Sequence, residues 1–107
     1  MNEEARRKLA YLAARASGES PSTIYGHHTG EHTHVSGSGD SFYDHSSGEH
    51  FSSTYDFGSG SHWNLKISGN NFTGYNFGSS DHFSGSVQGR NVTFYDYGTG
   101  EWYHYMA

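Results

Sequence analysis

The segment Tyr43-Asp44-His45-Ser46-Ser47-Gly48-Glu49-His50-Phe51 decides the fold, because four near-copies of it recur along the chain. Each copy begins with Tyr, passes through a cluster of small polar residues and carries His or Trp at its eighth position. The copies occupy residues 25–33, 55–63, 75–83 and 95–103, so successive starts are 18, 12, 20 and 20 residues apart. A period of this length is typical of stacked or meandering repeat folds.

Every copy predicts one β-hairpin. Aromatic and polar residues alternate on both sides of short Gly-, Ser-, Asn- and Thr-rich clusters, which is the pattern of half-buried strands joined by tight turns. We therefore predict an all-β fold with one N-terminal α-helix, in which residues 21–107 form an antiparallel meander of about nine short strands. The meander is expected to be a single sheet or a partly closed barrel. A disordered low-complexity linker would not keep aromatic and polar residues in register.

Residues 3–16 follow a helical period instead. Asn2 is a suitable N-cap and Gly18 a suitable end, with Pro21 just beyond. We divide the chain into an N-terminal amphipathic helix with its cap, residues 1–20, and a repeat β-meander domain, residues 21–107. The basic residues of the helix are expected on a solvated face, and its apolar stripe consists of Ala5, Leu9, Leu12, Ala13 and Ala16.

The composition predicts an aromatic core and an acidic surface. Among 107 residues, 32% are hydrophobic and 16% are charged, while nine Tyr, seven Phe and two Trp supply most of the apolar mass. The net charge is −5, and after residue 16 the only Lys and Arg residues are Lys66 and Arg90. The repeat region is therefore a poor surface for nucleic acid. The chain has no Cys, which excludes a disulfide framework.

The first residues do not resemble a Sec signal peptide, and no stretch is long and apolar enough to span a bilayer. We expect a protein of the cytoplasm or part of a larger assembly, without a membrane span.

Three-residue turns at the Gly clusters predict which side chains share a face. They pair Tyr55 with Trp63, and the corresponding residues in the other hairpins, so one aromatic row is expected to form the core or an assembly surface: Tyr55, Trp63, Tyr75, Phe83, Tyr95 and Tyr103. The opposite face would pair Asp56 with His62 and its equivalents. The aromatic side chains expected on that polar face, which could stack on sugar rings or bases, are Phe42, Phe72, Phe94 and Trp102.

Repeated Asp–His pairs favour a structural role over catalysis. A catalytic site needs one asymmetric constellation in a pocket, whereas these pairs recur along the sheet. The stretch from His28 to His32 also spells the H-x-x-E-H signature of metalloproteases, but that signature requires a helix and here it spans a turn. We therefore expect no enzyme, no catalytic residue and no resident cofactor.

The His-rich turn is the best candidate for a metal site. Imidazoles this close together suit zinc, nickel or copper, and the candidate ligands are His27, His28, His32 and His34. The alternatives are exposed polar strand residues or a pH-sensitive strand pair.

A size argument favours assembly. Nine strands at about 4.8 Å each span roughly 38 Å, whereas a helix of fourteen residues is about 21 Å long. One helix cannot cover the aromatic face of a flat sheet, so we expect a homo-oligomer unless a closed barrel buries that face. Tyr-Asp, Gly-x-Gly and a following aromatic are features that any hairpin repeat shares, so we assign no family. The function predicted is a non-enzymatic, self-assembling β-repeat scaffold for structure or binding, and the alternative is a His-rich protein that binds divalent metal.

Overall fold

The helix and strands of the protein were obtained from a computed structural model, which describes residues 1–19 and 21–107. These residues form one helix, α1 (Glu3–Ala16), and ten strands. The strands are β1 (Thr23–Gly26), β2 (Glu31–Ser38), β3 (Ser41–Asp44), β4 (Glu49–Phe51), β5 (Tyr55–Asp56), β6 (Ser61–Ser68), β7 (Asn71–Asn76), β8 (Asp81–Gln88), β9 (Asn91–Asp96) and β10 (Glu101–Met106).

Each strand pairs antiparallel with its neighbours along the chain, and β1 pairs with β10 to close the sheet into a barrel. The predicted all-β meander with one N-terminal helix is confirmed, and the closed form replaces the single open sheet. The strand count exceeds the predicted nine because residues 49–57 contain a turn without Gly. In this turn the Ser52 N–H donates to the Tyr55 carbonyl at 2.7 Å, and the turn separates β4 from β5.

The helix lies inside the barrel. Its residues 5–14 are all buried, and Leu9, Ala10 and Ala13 are fully enclosed. Ten strands spaced about 4.8 Å apart give a perimeter of about 48 Å and a diameter of at least about 15 Å, which admits a helix about 10–12 Å across. The prediction that the basic residues of the helix form a solvated face is therefore wrong. Of the two ways to cover the aromatic face, a second copy or a closed barrel, the structure shows the closed barrel.

The inward side chains of the strands form an aromatic shell around the helix. Tyr11 of α1 packs edge-on against Phe42 and Phe51, with ring centroids 5.5 and 6.0 Å apart. Phe83 and Phe94 stack at 5.2 Å with nearly parallel rings. The aromatic core is thus present, although Phe42, Phe72 and Phe94, which were expected on the polar face, belong to it.

The predicted pairing register is wrong by one residue. Tyr55 lies opposite His62, and Asp56 lies opposite Ser61, because the turn has four residues and includes Phe57. A shift of one residue exchanges the two faces of a strand. The proposed row of six aromatic residues is consequently divided. Trp63 and Phe83 are buried in the core and Tyr103 packs partly against it, whereas Tyr55, Tyr75 and Tyr95 lie half-buried on the outer wall.

Candidate functional site: the rim of the four-residue turns

One end of the barrel is built from the five repeated hairpin turns, residues 27–30, 45–48, 57–60, 77–80 and 97–100. We call this end the repeat rim. The same backbone bond closes four of its turns, for example from the Gly60 N–H to the Asp56 carbonyl at 2.8 Å. Gly60 has φ +70°, a left-handed conformation that Gly adopts without a Cβ penalty. Adjacent turns also pack closely, since a Cβ on Gly58 would collide with the carboxylate of Glu49.

In four of the five repeats, the second residue is an Asp or Asn that points into the barrel and holds its own turn; in the first repeat it is Gly26. One side-chain oxygen of Asp44 accepts from the Ser46 N–H at 2.9 Å, and Asp56 accepts from Gly58 at 3.0 Å. Asn76 and Asp96 make the equivalent bonds at 2.9 and 2.8 Å, to Gly78 and Gly98. This side chain mimics a backbone turn, which explains why an Asx residue recurs there.

Each inward Asp also binds a cation of the helix. Arg7 donates to Asp44 at 2.7 Å and Arg6 donates to Asp96 at 3.1 Å. Lys8 donates to Asp56 at 2.9 Å and to Glu49 at the same distance. These cations are at most 8% exposed, and removing one partner from such a buried pair leaves an uncompensated charge.

Asn76 occupies the one inward Asx position in the described structure that receives no helix cation. Its side chain faces Met1, with the amide nitrogen 4.0 Å from the Met1 sulfur. The Met1 amine instead binds Asp81 at 2.8 Å and Asp96 at 3.1 Å. Three inward Asp residues thus pair with the three side-chain cations of the helix. The neutral amide of Asn76 occupies the fourth inward position, which no helix cation contacts.

The ion pairs set the pKa values of their partners. Burial lowers the pKa of Lys8, but hydrogen bonds and charge attraction from Asp56 and Glu49 outweigh it and leave that pKa raised. The hydrogen bond from the Met1 amine lowers the pKa of Asp81 against a smaller opposing effect of burial. Both shifts favour the charged form that makes the contact.

The predicted pairing of Asp with His across each hairpin is wrong, because the Asp side chains lie inside the barrel and the His side chains lie outside. His50 is opposite Tyr43, and His62 is opposite Tyr55. Among the described residues, the contact between an imidazole and a carboxylate is instead the one between His28 Nε2 and Glu3 Oε1, which are 2.6 Å apart.

The outer wall of the repeat rim carries a cluster of three rings on every hairpin. The Tyr that opens each repeat is contacted by the ring two residues later and by the ring seven residues later, with centroid distances of 4.3–5.1 Å. These ring clusters are Tyr25 with His27 and His32, Tyr43 with His45 and His50, Tyr55 with Phe57 and His62, Tyr75 with Phe77 and His82, and Tyr95 with Tyr97 and Trp102.

Three adjacent hairpins present large apolar rings to solvent. Phe57, Phe77, Tyr97 and Trp102 are 57–64% exposed, and we call this set the aromatic arc. On the other two hairpins the corresponding side chains are imidazoles, and we call His27, His32, His45 and His50 the histidine arc. The two arcs together complete the rim, because β1 pairs with β10 and β4 pairs with β5.

The four candidate metal ligands are distributed over this end of the barrel. His27 and His32 both pack on Tyr25, whereas His28 turns to Glu3 and contacts Tyr103 and Tyr105. His34 lies opposite Thr23, further along β2. Within residues 1–19 and 21–107, no group of three or more His, Asp or Glu side chains is arranged to hold a metal ion.

Concave surfaces adjoin the repeat rim on the side of β6 to β8. A polar cavity of about 330 Å³ lies at the barrel mouth, between the start of α1 and the turns that carry Ser59 and Ser79. A groove of about 490 Å³ runs along the outer wall across β6, β7 and β8, and Tyr75 and Tyr97 line it. The mouth cavity adjoins the ion pairs, while the groove adjoins the aromatic arc.

Two parts of this site escaped the sequence analysis. The sequence analysis places the three cations Arg6, Arg7 and Lys8 on a solvated face. The second repeat position, however, carries three Asp residues, and this equal number is a signal that the cations and the Asp residues pair. The ring clusters also had a signal, since an aromatic or His residue follows each opening Tyr by two positions.

Comparisons of the chain with protein families, with curated proteins and with solved structures find no match. Within the described part of the chain, no helix is long and apolar enough to cross a membrane.

Proposed function

We propose that the protein is a non-enzymatic scaffold that associates with copies of itself through the aromatic arc. The observation that carries this proposal is the exposure of Phe57, Phe77, Tyr97 and Trp102 on three adjacent hairpins. Contiguous exposed apolar surface on a soluble protein marks an interaction site more often than scattered single residues do. Aromatic side chains are also the residues most enriched at the centres of protein interfaces.

The construction of the barrel supports a scaffold role. The interior is filled by α1, and its cations are engaged by Asp44, Asp56 and Asp96. Catalysis requires acid, base or nucleophilic groups that are available in a cleft. The outward His side chains of the ring clusters are instead repeated around the rim and packed edge-on or tilted against Tyr rings, which suits a surface that presents rings in fixed positions.

The occupant proposed for the aromatic arc is a second copy of this chain. A two-fold contact would bring the same rings from both copies together, as in most homodimers. A closed barrel leaves no broad sheet face uncovered, so the surface that favours a homo-oligomer is the aromatic arc. Since each copy carries a net charge of −5, salt should strengthen association by screening their repulsion.

Light scattering over a range of protein and salt concentrations tests this proposal. We expect the wild-type mass to rise above the 11.9 kDa of one chain as concentration and salt increase. A variant with Phe57→Ser, Phe77→Ser and Tyr97→Ser should stay at the monomer mass. The matched control is Ile67→Ser, an exposed apolar residue outside the arc, which should behave as wild type. A wild-type protein of monomer mass under all conditions would refute self-association.

Metal binding by the His-rich turn stays a separate proposal. It would require His27, His28, His32 and His34 to approach one another more closely than their present contacts with Tyr25 and Glu3 place them. Stoichiometric zinc or nickel binding, lost when His32→Ala and His34→Ala are combined, would support it.

A further inference from the structure

The groove on the outer wall has a floor of hydroxyl groups. Thr73 and Ser84 are paired across β7 and β8, and their side chains point outward because Phe72 and Phe83 on the same strands point into the core. Both side chains are short, so the wall is recessed between the larger residues on either side. The groove therefore offers hydrogen-bonding groups at the bottom of a concave surface.

Aromatic rings form the sides of this groove. Tyr75 lies on one side with His82 against it, the two ring centroids 4.6 Å apart. Tyr97 reaches over from the next turn, and its hydroxyl lies 3.3 Å from the Ser84 hydroxyl. Tyr97 is 58% exposed, so most of its ring remains available to a ligand. The rings of Tyr75 and Tyr97 thus border the hydroxyl floor.

One amide completes the polar groups of the groove. The Asn64 side-chain oxygen accepts from the Tyr75 N–H at 3.0 Å, which fixes the amide and directs its nitrogen to other partners. Among the described residues that line the groove, Lys66 supplies the one Lys or Arg cation and none is a carboxylate. This donor set is neutral apart from Lys66. It does not suit a metal ion, which needs carboxylate, thiolate or clustered imidazole ligands.

We infer that this groove binds a neutral oligosaccharide. A pyranose ring has an apolar face of C–H groups, which packs on an aromatic ring, and an edge of hydroxyls, which bonds to hydroxyl and amide side chains. Binding sites in general combine aromatic lining with a few polar groups that fix orientation. Nucleic acid is disfavoured because the protein carries a net charge of −5.

The repeat spacing indicates an extended glycan. Tyr55, Tyr75 and Tyr95 lie on β5, β7 and β9, two strands apart, which corresponds to about 10 Å around the wall. That spacing is close to the length of one disaccharide unit in an extended β-linked chain. A glycan lying across the strands would therefore meet an equivalent ring at each disaccharide. This inference rests on the proposed function only in that Tyr97 belongs to both the groove and the aromatic arc.

The test is an NMR titration of the ¹⁵N-labelled protein with cellohexaose, laminarihexaose and chitohexaose, at a protein concentration where light scattering gives the monomer mass. We expect saturable shifts of the Thr73, Tyr75, Ser84 and Tyr97 amides. Tyr97→Ala should weaken binding by about tenfold, equivalent to ~1.4 kcal/mol for a lost ring contact. His45→Ala, which removes an exposed ring at the same turn position on the hairpin of Tyr43, away from β5 to β9, should leave affinity unchanged.

Three outcomes would overturn the inference. One is the absence of saturable shifts with all three hexasaccharides, and another is an equal loss of affinity in Tyr97→Ala and His45→Ala. The third requires a further titration with an oligogalacturonate: binding to that probe alone, abolished by Lys66→Ala and by salt, would indicate an anion site. Glycan binding does not depend on self-association, so a protein that binds glycan but keeps the monomer mass under all conditions refutes only the proposed function. A protein that self-associates without binding glycan refutes only this inference.

Discussion

The inner and outer sides of the repeat rim differ although the same hairpin builds both. On the inner side the second residue of four repeats is matched to the helix, with Asp44, Asp56 and Asp96 paired to cations and Asn76 left neutral. On the outer side the ring clusters keep their geometry but change from imidazole-rich to fully aromatic around the barrel. The inner positions therefore follow the charge of one central helix, whereas the outer positions that pack on each opening Tyr are occupied by His, Phe, Tyr or Trp.

The largest expected difference between the two sides is in packing. Phe94 is fully buried and contacts Phe72, Phe83 and Tyr105. Phe94→Ala should lower the free energy of unfolding by about 4 kcal/mol, since it removes a buried ring and leaves a cavity. Urea denaturation followed by circular dichroism measures this change. A loss below about 1 kcal/mol would contradict an aromatic shell that surrounds the helix.

The second largest loss of stability is expected from breaking the inner ion pairs. Asp44→Asn keeps an oxygen for the Ser46 N–H but leaves Arg7 buried without its charge partner, so we expect a loss of about 3 kcal/mol. Adding Arg7→Met should recover most of that loss, because a buried pair replaced by apolar groups is often near neutral. Equilibrium urea unfolding of the two single variants and the double variant tests both statements. If the double variant is as unstable as the sum of the singles, the two side chains are not coupled.

Acid should weaken the inner side through Asp81. The folded-state pKa of Asp81 is lowered, so its contribution to stability is complete above its ordinary value of 3.8 and is lost as pH falls through the lower folded value. Asp81→Asn should therefore make unfolding less dependent on pH below 3.8. Urea midpoints at pH 5 and at pH values below 3.8 test this expectation. Identical pH dependence in both proteins would show that the contact with the Met1 amine does not contribute.

The outer rings should contribute least to folding. Phe77 is 57% exposed, and its main described aromatic contact is Tyr75, at 4.8 Å between centroids. Phe77→Ala should change the free energy of unfolding by no more than about 0.5 kcal/mol, as is usual for exposed positions. The same urea experiment measures it. A loss comparable with that of Phe94→Ala would assign the aromatic arc a structural role and remove the reason to treat it as an interaction surface.

The sequence predicted the strand order and most turns because Gly-containing clusters recur at a regular period. It did not predict which face is buried. Phe57 is an aromatic residue of the kind typical of strands, but it is the first residue of its turn. Including Phe57 in the turn shifts the pairing register by one residue and exchanges the two faces of the strand. Only the burial of Asp56 against Lys8 makes the correct register evident.

The position of the helix could not be predicted from local pattern. Three consecutive cations normally face solvent, because burying an unpaired charge is costly. Their burial here depends on Asp residues 37, 48 and 90 positions away in the chain, which meet the helix only after the barrel closes. The interior site is therefore a property of the closed fold, while the outer ring clusters arise within single hairpins.

Native-state hydrogen exchange of the helix amides tests whether α1 is enclosed by a closed barrel. We expect amides from Leu9 to Ala14 to exchange only on global unfolding, with protection equal to that of β8 and β9. Exchange that is markedly faster in the helix than in these strands would contradict it, since a helix that opens independently of the barrel is not enclosed by it.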